Sequence, residues 1–141
     1  WKENSRECKI LATYIMPSEK MLADVADIWL EQIPTQEIAE HLSFNLLRYL
    51  DYAPSLAFKC LASDKSLYLI CGFQTLACLF SERKEPNERG KNYFLDQVEV
   101  ALLSNDLAVK QAAFRCVQRF CDLGEEYELI AKKALKKFDI L

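Results

Sequence analysis

Glycine, proline and histidine are scarce in this sequence, which contains three glycines, four prolines and one histidine in 141 residues. A many-stranded β fold needs turn residues at short intervals, so the scarcity of glycine and proline favours helices joined by short loops over such a fold. With one histidine and no CxxC pair, the clustered ligands of a structural zinc site are also missing. The sequence therefore predicts no metal and no other cofactor.

A long apolar run and an excess of basic charge are absent as well. The longest apolar stretch, SLYLICGFQTLACLF, is interrupted by polar residues and falls short of the roughly 20 residues that span a bilayer. The formal net charge is −3 and the pI is about 5.3, so the basic surface typical of a whole nucleic-acid-binding domain is absent. These features predict a protein without a membrane partner and leave room only for a local basic patch.

The six cysteines lie within apolar helical patterns and form no paired motif. This arrangement predicts buried, reduced thiols in a cytoplasmic protein, because disulfides are rare in that compartment. The cysteines are Cys8, Cys60, Cys71, Cys78, Cys116 and Cys121. The same helical spacing predicts core positions for the aromatic residues Trp29, Phe73, Phe80, Phe114 and Phe120.

Apolar residues recur at helical spacing along almost the whole chain, in about eight segments. The first segment, RECKILATYIM, predicts a helix with one apolar face. The second, PSEKMLADVADIWLEQI, predicts a helix with Ser18 as its N-cap, and Asp106 is the predicted N-cap of a later helix. The predicted apolar faces are Ile10, Leu11, Tyr14 and Ile15 in the first helix, and Met21, Leu22, Val25, Ile28 and Trp29 in the second.

Two of the later segments nearly repeat each other. The shift that places Asp64 on Asn105 also places Gly72 on Ala113, a small pair that would allow close helix packing. A period of roughly 40 residues built from helix pairs is typical of HEAT-type repeats, which stack into a curved solenoid with a concave binding face. We therefore predict an all-α fold, a short HEAT-like solenoid of about eight helices, as a single domain over residues 1–141. A coincidental match within a helical bundle is the alternative.

Three segments, ECKILATYIM, TQEIAEHL and SDKSLYLICGFQTLACLF, carry a further resemblance. They are similar to motifs of the types HEARxLA, SWDxxD and SxxxWxRRxGFV in the DNA alkylation repair family, the AlkD-like glycosylases built from HEAT-like repeats. The resemblance covers nearly the whole chain and matches the later part of a family member. It therefore implies that some N-terminal helices of the family architecture are missing here.

Family members excise cationic alkylated bases such as N3- and N7-alkylpurines, so the resemblance implies a protein that acts on duplex DNA. A carboxylate of the family stabilises positive charge on the sugar, and the matching residue here is Glu40, the implied catalytic residue. Gln36 replaces the tryptophan of that motif and is the implied DNA contact. The family's tryptophan and paired arginines in the other motif are replaced by Leu67, Leu69 and Ile70. These losses imply weak or absent glycosylase activity.

Several candidate residues also have ordinary structural explanations. Glu37 and Glu40 share a helix face, but acidic residues in a first turn are favoured by the helix dipole alone. His41 follows directly and has no serine or cysteine partner at a recognisable spacing. Lys65 and Lys110 open their helices near equivalent repeat positions, which predicts two phosphate contacts in one groove. The cluster KKALKK could also contact phosphate or simply suit a helix C-terminus.

A second class of function stays open on the sequence alone. A non-catalytic helical-repeat scaffold would bind a protein or a nucleic-acid partner on its concave face. The missing tryptophan and arginine residues favour this alternative, because their loss affects the chemistry and leaves the repeat packing intact. The sequence predicts duplex DNA or a protein as the partner and makes no prediction of the oligomeric state.

Overall fold

A computed structural model describes residues 1–139, which form eight α-helices and three short 3-10 turns and contain no β-strand. The all-α fold predicted from the sequence is thus confirmed. No helix within this range is long and apolar enough to cross a membrane. The helices are α1 (Arg6–Ile15), α2 (Ala23–Glu31), α3 (Gln36–Asn45), α4 (Ala53–Leu61), α5 (Ser66–Ser81), α6 (Glu88–Leu103), α7 (Leu107–Cys121) and α8 (Glu125–Ala134).

The chain divides into two compact units. The first unit comprises Trp1–Thr75 and the second comprises Leu76–Leu141, so the boundary falls within α5. The single domain and the curved solenoid therefore stay predictions, and each unit is described separately below.

Helix starts recur at a fixed interval in the first unit. The helices α1, α3 and α5 begin at Arg6, Gln36 and Ser66, which are equally spaced along the chain. The helices α2 and α4 begin at Ala23 and Ala53, which are separated by the same interval. A regular interval between helix pairs is the sequence signature of stacked repeats. The first unit thus repeats a helix pair, with a shorter period than the one predicted from the later segments.

Side chains one repeat apart contact each other in this unit. Arg6 Nη2 donates to Glu37 Oε2 at 2.8 Å, near the starts of α1 and α3. Asn45 Nδ2 donates to Thr13 Oγ1 at 3.0 Å, near the ends of the same helices. Because both the starts and the ends are paired, α1 and α3 run parallel, as equivalent helices of successive repeats do.

The longer shift predicted from the sequence agrees with the helix starts farther along the chain. The helices α5 and α7 begin at Ser66 and Leu107, and their separation equals that of the predicted pair Asp64 and Asn105. The longer period has a simple origin, because α5 and α6 each contain 16 residues whereas α3 and α4 contain 10 and 9. Together α5 and α6 have 13 more helical residues than α3 and α4, and the connections after them are two residues shorter in total, which accounts for the full difference of 11 residues.

Aromatic side chains form the core of the second unit. Phe80, Phe94 and Phe120 pack mutually, with ring centroids 5.2 to 5.6 Å apart, and Tyr127 meets Phe120 edge-on at 5.3 Å. The three phenylalanines are buried. Core positions predicted from helical spacing are confirmed for Phe73, Phe80 and Phe120, while Trp29 and Phe114 are half-buried.

Gly72 lies where α5 approaches α4 closely, as predicted. A Cβ atom on Gly72 would lie 2.8 Å from Leu61 Cδ2 and 3.0 Å from the Ala57 carbonyl oxygen. Both distances are shorter than ordinary van der Waals contact, and the carbonyl belongs to the helix backbone. The close approach of the two helices therefore depends on the absence of a side chain at this position.

The buried face of α1 is not the predicted one. Periodicity identifies a face that could be buried but not the element that covers it. The opposite face of α1 is buried instead. On that face Lys9 Nζ donates to the Trp1 carbonyl at 2.9 Å, and Thr13 Oγ1 accepts a hydrogen bond from Asn45 of α3. The predicted residues Leu11, Tyr14 and Ile15 are exposed, whereas Lys9, Ala12 and Thr13 are buried.

The second predicted helix starts later than expected. Ser18 opens a short 3-10 turn, Ser18–Lys20, and α2 begins only at Ala23 after two extended residues. The carbonyl of Met21, within this break, accepts a hydrogen bond from the Tyr52 hydroxyl at 2.6 Å. Met21 is buried as predicted, but Leu22 and Ile28 are exposed, so the predicted continuous apolar face is wrong.

The cysteines are less uniformly buried than predicted. Four are buried, as expected, but Cys8 is exposed and Cys121 is half-buried. Cys8 lies on the same outward side of α1 as Leu11, which explains the error. Burial raises the pKa of the Cys60 thiol to about 12, and it also raises the pKa of the Cys71 thiol. Thiolate formation is therefore suppressed in the core.

We expect thiol reactivity to follow this burial. DTNB added to the native protein at mildly alkaline pH should modify Cys8 rapidly and Cys121 more slowly, because burial raises the pKa of the Cys121 thiol. The remaining four cysteines should react only after unfolding in denaturant. The Cys8→Ser variant should lack the fast phase. Rapid modification of several thiols in the native state would contradict the core described here.

Candidate functional site

A groove of about 720 Å³ runs along α3 in the first unit. The helix α3 is positioned by Thr35, whose hydroxyl caps it by accepting a hydrogen bond from the Ile38 amide at 3.3 Å. Residues four apart fall in rows along a helix, so two rows of α3 line the groove. One row is Gln36, Glu40 and Phe44, the other is Glu37, His41 and Asn45, and α1 and α5 add Tyr14 and Gln74.

Glu40 lines the groove from α3, which is held by contacts on its buried side. Its neighbour Ala39 is fully buried, and the Ser43 hydroxyl donates to the Ala39 carbonyl at 2.9 Å. The Cys71 thiol of α5 contacts the same carbonyl at 3.8 Å. Glu40 itself is half-buried, and its carboxylate makes no hydrogen bond or ion pair with any other residue of the described range 1–139. It is therefore available to a ligand.

Glu37 differs from Glu40 because it already has a cationic partner. The Arg6 guanidinium donates to both oxygens of this carboxylate, from Nε at 2.5 Å and from Nη2 at 2.8 Å. These hydrogen bonds from Arg6 hold the pKa of the Glu37 carboxyl below its ordinary value. Arg6 thus compensates the charge of Glu37 at the surface, and Glu40 is the uncompensated acid of the groove.

Two exposed aromatic rings line the groove together with Glu40. Tyr14 of α1 is 64% exposed and Phe44 of α3 is 53% exposed. The Tyr14 ring centroid lies 6.5 Å from that of His41. The Arg48 guanidinium lies 4.9 Å from the centroid of Phe44, in cation–π contact. The groove therefore combines acidic, amide and aromatic groups.

Sequence reasoning missed both aromatic residues. Helical periodicity assigns Tyr14 to a buried face, and only the pairing of α1 with α3 brings it beside His41. A signal for Phe44 did exist, because it follows Glu40 by four residues and so shares its helix face. The structure does bring the predicted residues Gln36 and Glu40 together, since both line this groove.

At the two positions where the family motif has paired arginines, this chain has no side chain that could bind a phosphate. Leu69 is half-buried and Ile70 is buried. Lys65 is exposed, but its ammonium lies 5.4 Å from the Tyr68 ring and it does not line the groove. Lys110 is half-buried and belongs to the second unit. The predicted groove shared by the two lysines stays a prediction.

The basic cluster KKALKK is partly neutralised by acidic residues. Lys132 Nζ lies 3.0 Å from Glu128 Oε1, one helical turn earlier in α8. Lys137 forms an ion pair with Glu99 of α6. Two of the four lysines therefore have local carboxylate partners, which supports a structural role for this part of the cluster.

Comparison of the chain with protein-family models, with curated proteins and with solved structures gives no match. The resemblance to the DNA alkylation repair family thus stays a prediction, and the interpretation of the groove rests on its own residues.

Proposed function

We propose that this protein is a divergent member of the DNA alkylation repair family, and that it acts as a binding protein for a cationic group with weak or no glycosylase activity. The observation that carries the proposal is Glu40, a half-buried carboxylate without an internal partner in the described range, in a groove that the exposed rings of Tyr14 and Phe44 also line. The six cysteines form no CxxC motif, which supports the proposal of a reducing, cytoplasmic location.

This combination of groups suits a cation on physical grounds. A carboxylate attracts positive charge more strongly where protein excludes part of the water. An aromatic face adds about 0.5–2 kcal/mol for a cation placed over it. Arg48 already occupies such a position over Phe44, so the structure contains an internal example of the interaction.

Weak catalysis follows from the groups that are missing. A cationic base is already a good leaving group, so an enzyme must mainly hold the nucleotide and stabilise the sugar cation. Hydrogen bonds from charged groups to phosphate contribute about 1.5–3 kcal/mol each, and Leu69 and Ile70 cannot form them. At about 1.4 kcal/mol per tenfold, losing two such contacts costs two or more powers of ten in rate.

Release of 7-methylguanine and 3-methyladenine from methylated DNA tests this proposal. We expect the protein to raise base release little above the spontaneous rate, with no difference in the Glu40→Gln variant. The matched control is Glu31→Gln, since Glu31 is an exposed acid of α2 outside the groove. Plain duplex DNA should show no gel shift with about 1 μM protein at physiological salt.

A second candidate function is a working glycosylase with Glu40 as its catalytic carboxylate. It is favoured by one observation, that Gln36 and Glu40 line the same groove. Robust base release that is lost in Glu40→Gln and retained in Glu31→Gln would establish this function and overturn the proposal of weak activity.

A further inference from the structure

The groove has a charge that selects against phosphate and for a cation. Glu37 and Glu40 both line it, and Arg6 compensates only the first of them. Arg48 lies at the Phe44 end and is stacked over the rings of Phe44 and Tyr49. A polyanion would therefore bring its phosphates toward an uncompensated carboxylate, which disfavours binding by charge repulsion.

The groups at the groove are matched to a guanidinium in particular. The protein's own arginines show this twice: Arg6 is bidentate to Glu37, and Arg48 stacks over Phe44. A planar guanidinium can make both contacts at once, whereas a lysine ammonium cannot make the bidentate one. Glu40 and the groove side of Phe44 offer the same two partners to an arginine from outside.

The surface next to the groove is apolar. On α1, Leu11 is 56% exposed and Ile15 is 67% exposed, and Tyr14 of the groove belongs to the same helix face as Leu11. Large exposed apolar side chains that adjoin a binding groove are typical of protein-binding surfaces. They have no attraction for the phosphates of a nucleic acid.

We infer that the occupant of this groove is a basic segment of another protein, in which an arginine side chain inserts between Tyr14 and Phe44 onto Glu40 while neighbouring apolar side chains contact Leu11 and Ile15. The inference rests on the proposed function, which supplies the cation site, and it adds the class of partner. Charge complementarity and the apolar flank on α1 favour a peptide over duplex DNA.

The test uses a short fluorescein-labelled peptide that carries arginine and leucine on one face. Its binding is measured by fluorescence anisotropy, and a peptide with citrulline in place of arginine is the matched neutral probe. We expect the citrulline peptide to bind at least about tenfold more weakly, because only the charged form makes charge-assisted hydrogen bonds. A peptide with serine in place of leucine should bind several-fold more weakly, because it buries less apolar surface against Leu11 and Ile15.

Variants of the protein locate the site. Glu40→Gln should weaken binding of the arginine peptide about tenfold or more, and Phe44→Ala or Leu11→Ser should weaken it several-fold. The control Glu31→Gln should leave the affinity unchanged within about twofold. Equal effects of Glu40→Gln and Glu31→Gln would mean that general acidity attracts the peptide, and this result would overturn the inference.

A parallel titration with N-butylguanidinium, followed by NMR shifts of α3 amides, separates the two proposals. Glu40-dependent binding of this small cation without binding of the peptide would retain the cation site and overturn the peptide partner. Binding of neither probe would overturn both. Duplex DNA that binds in place of the peptide, with loss of binding in Phe44→Ala, would also overturn the inference and assign the groove to nucleic acid.

Discussion

Replacing Phe120 by alanine is expected to lower the free energy of unfolding by about 3–5 kcal/mol. Phe120 is fully buried, and its ring contacts those of Phe80, Phe94 and Tyr127 at centroid distances of 5.2 to 5.6 Å. Removing the ring leaves a cavity among side chains that other helix contacts hold in place. It also removes edge-to-face contacts that contribute about 0.5–1.5 kcal/mol each.

Urea denaturation followed by circular dichroism measures this loss. The control is Phe138→Ala, because Phe138 is half-buried in the 3-10 turn after α8 and should cost much less. A loss of about 3–5 kcal/mol is a large fraction of the usual stability of a domain, so Phe120→Leu provides a milder variant that still folds. Equal losses for Phe120→Ala and Phe138→Ala would show that the aromatic cluster is not the core of the second unit.

Replacing Gly72 by leucine is expected to destabilise the first unit by about 3 kcal/mol, at the upper end of the range for overpacking. Even a Cβ atom would lie 2.8 Å from Leu61 Cδ2 and 3.0 Å from the Ala57 carbonyl oxygen. Gly72→Ala should gain about 1 kcal/mol of helix propensity and lose more than this to the contact with Ala57. We therefore expect a smaller net loss for alanine than for leucine.

A double-mutant cycle separates the steric effect from other causes. In a Leu61→Ala background the nearest side-chain atoms are removed, so the additional cost of Gly72→Ala should shrink. The remaining cost then reports the contact with the Ala57 carbonyl. If thermal melting of Gly72→Leu matched that of the native protein, α4 and α5 could not be packed as closely as described.

The sequence predicts which segments are helical, because helix formation depends on local residues. It predicts the first residue of each helix less reliably. Asp106 caps α7 as predicted, since its carboxylate accepts a hydrogen bond from the Val109 amide at 3.2 Å. The prediction of Ser18 as the N-cap of α2 is wrong, because the break before that helix is held by Tyr52 from a distant part of the chain. A helix cap involves residues close in sequence and can be predicted from them. A contact with a residue far along the chain cannot be predicted from the local sequence.

The candidate site was predictable in part for the same reason. Gln36 and Glu40, which the family resemblance assigns to one site, lie four residues apart on α3 and line the same groove. Tyr14 reaches the groove from α1, and Arg6 neutralises Glu37 from the same helix. Both contributions depend on which helix packs beside α3. The aromatic groups and the difference between the two acids therefore emerged only with the tertiary structure.

The constant interval in the first unit has a consequence for how the chain folds. Contacts between its equivalent helices join residues 31 or 32 positions apart, as in Arg6–Glu37, Lys59–Asp27 and Cys71–Ala39. Loop-closure entropy depends on loop length, so each of these contacts closes at nearly the same cost. Folding can then begin at any neighbouring pair and spread outward, at the fast rates typical of chains with short contact separations. Duplication of one helix pair would add another set of these contacts without changing the existing ones. A chain of this kind could therefore lengthen during evolution by adding whole repeats.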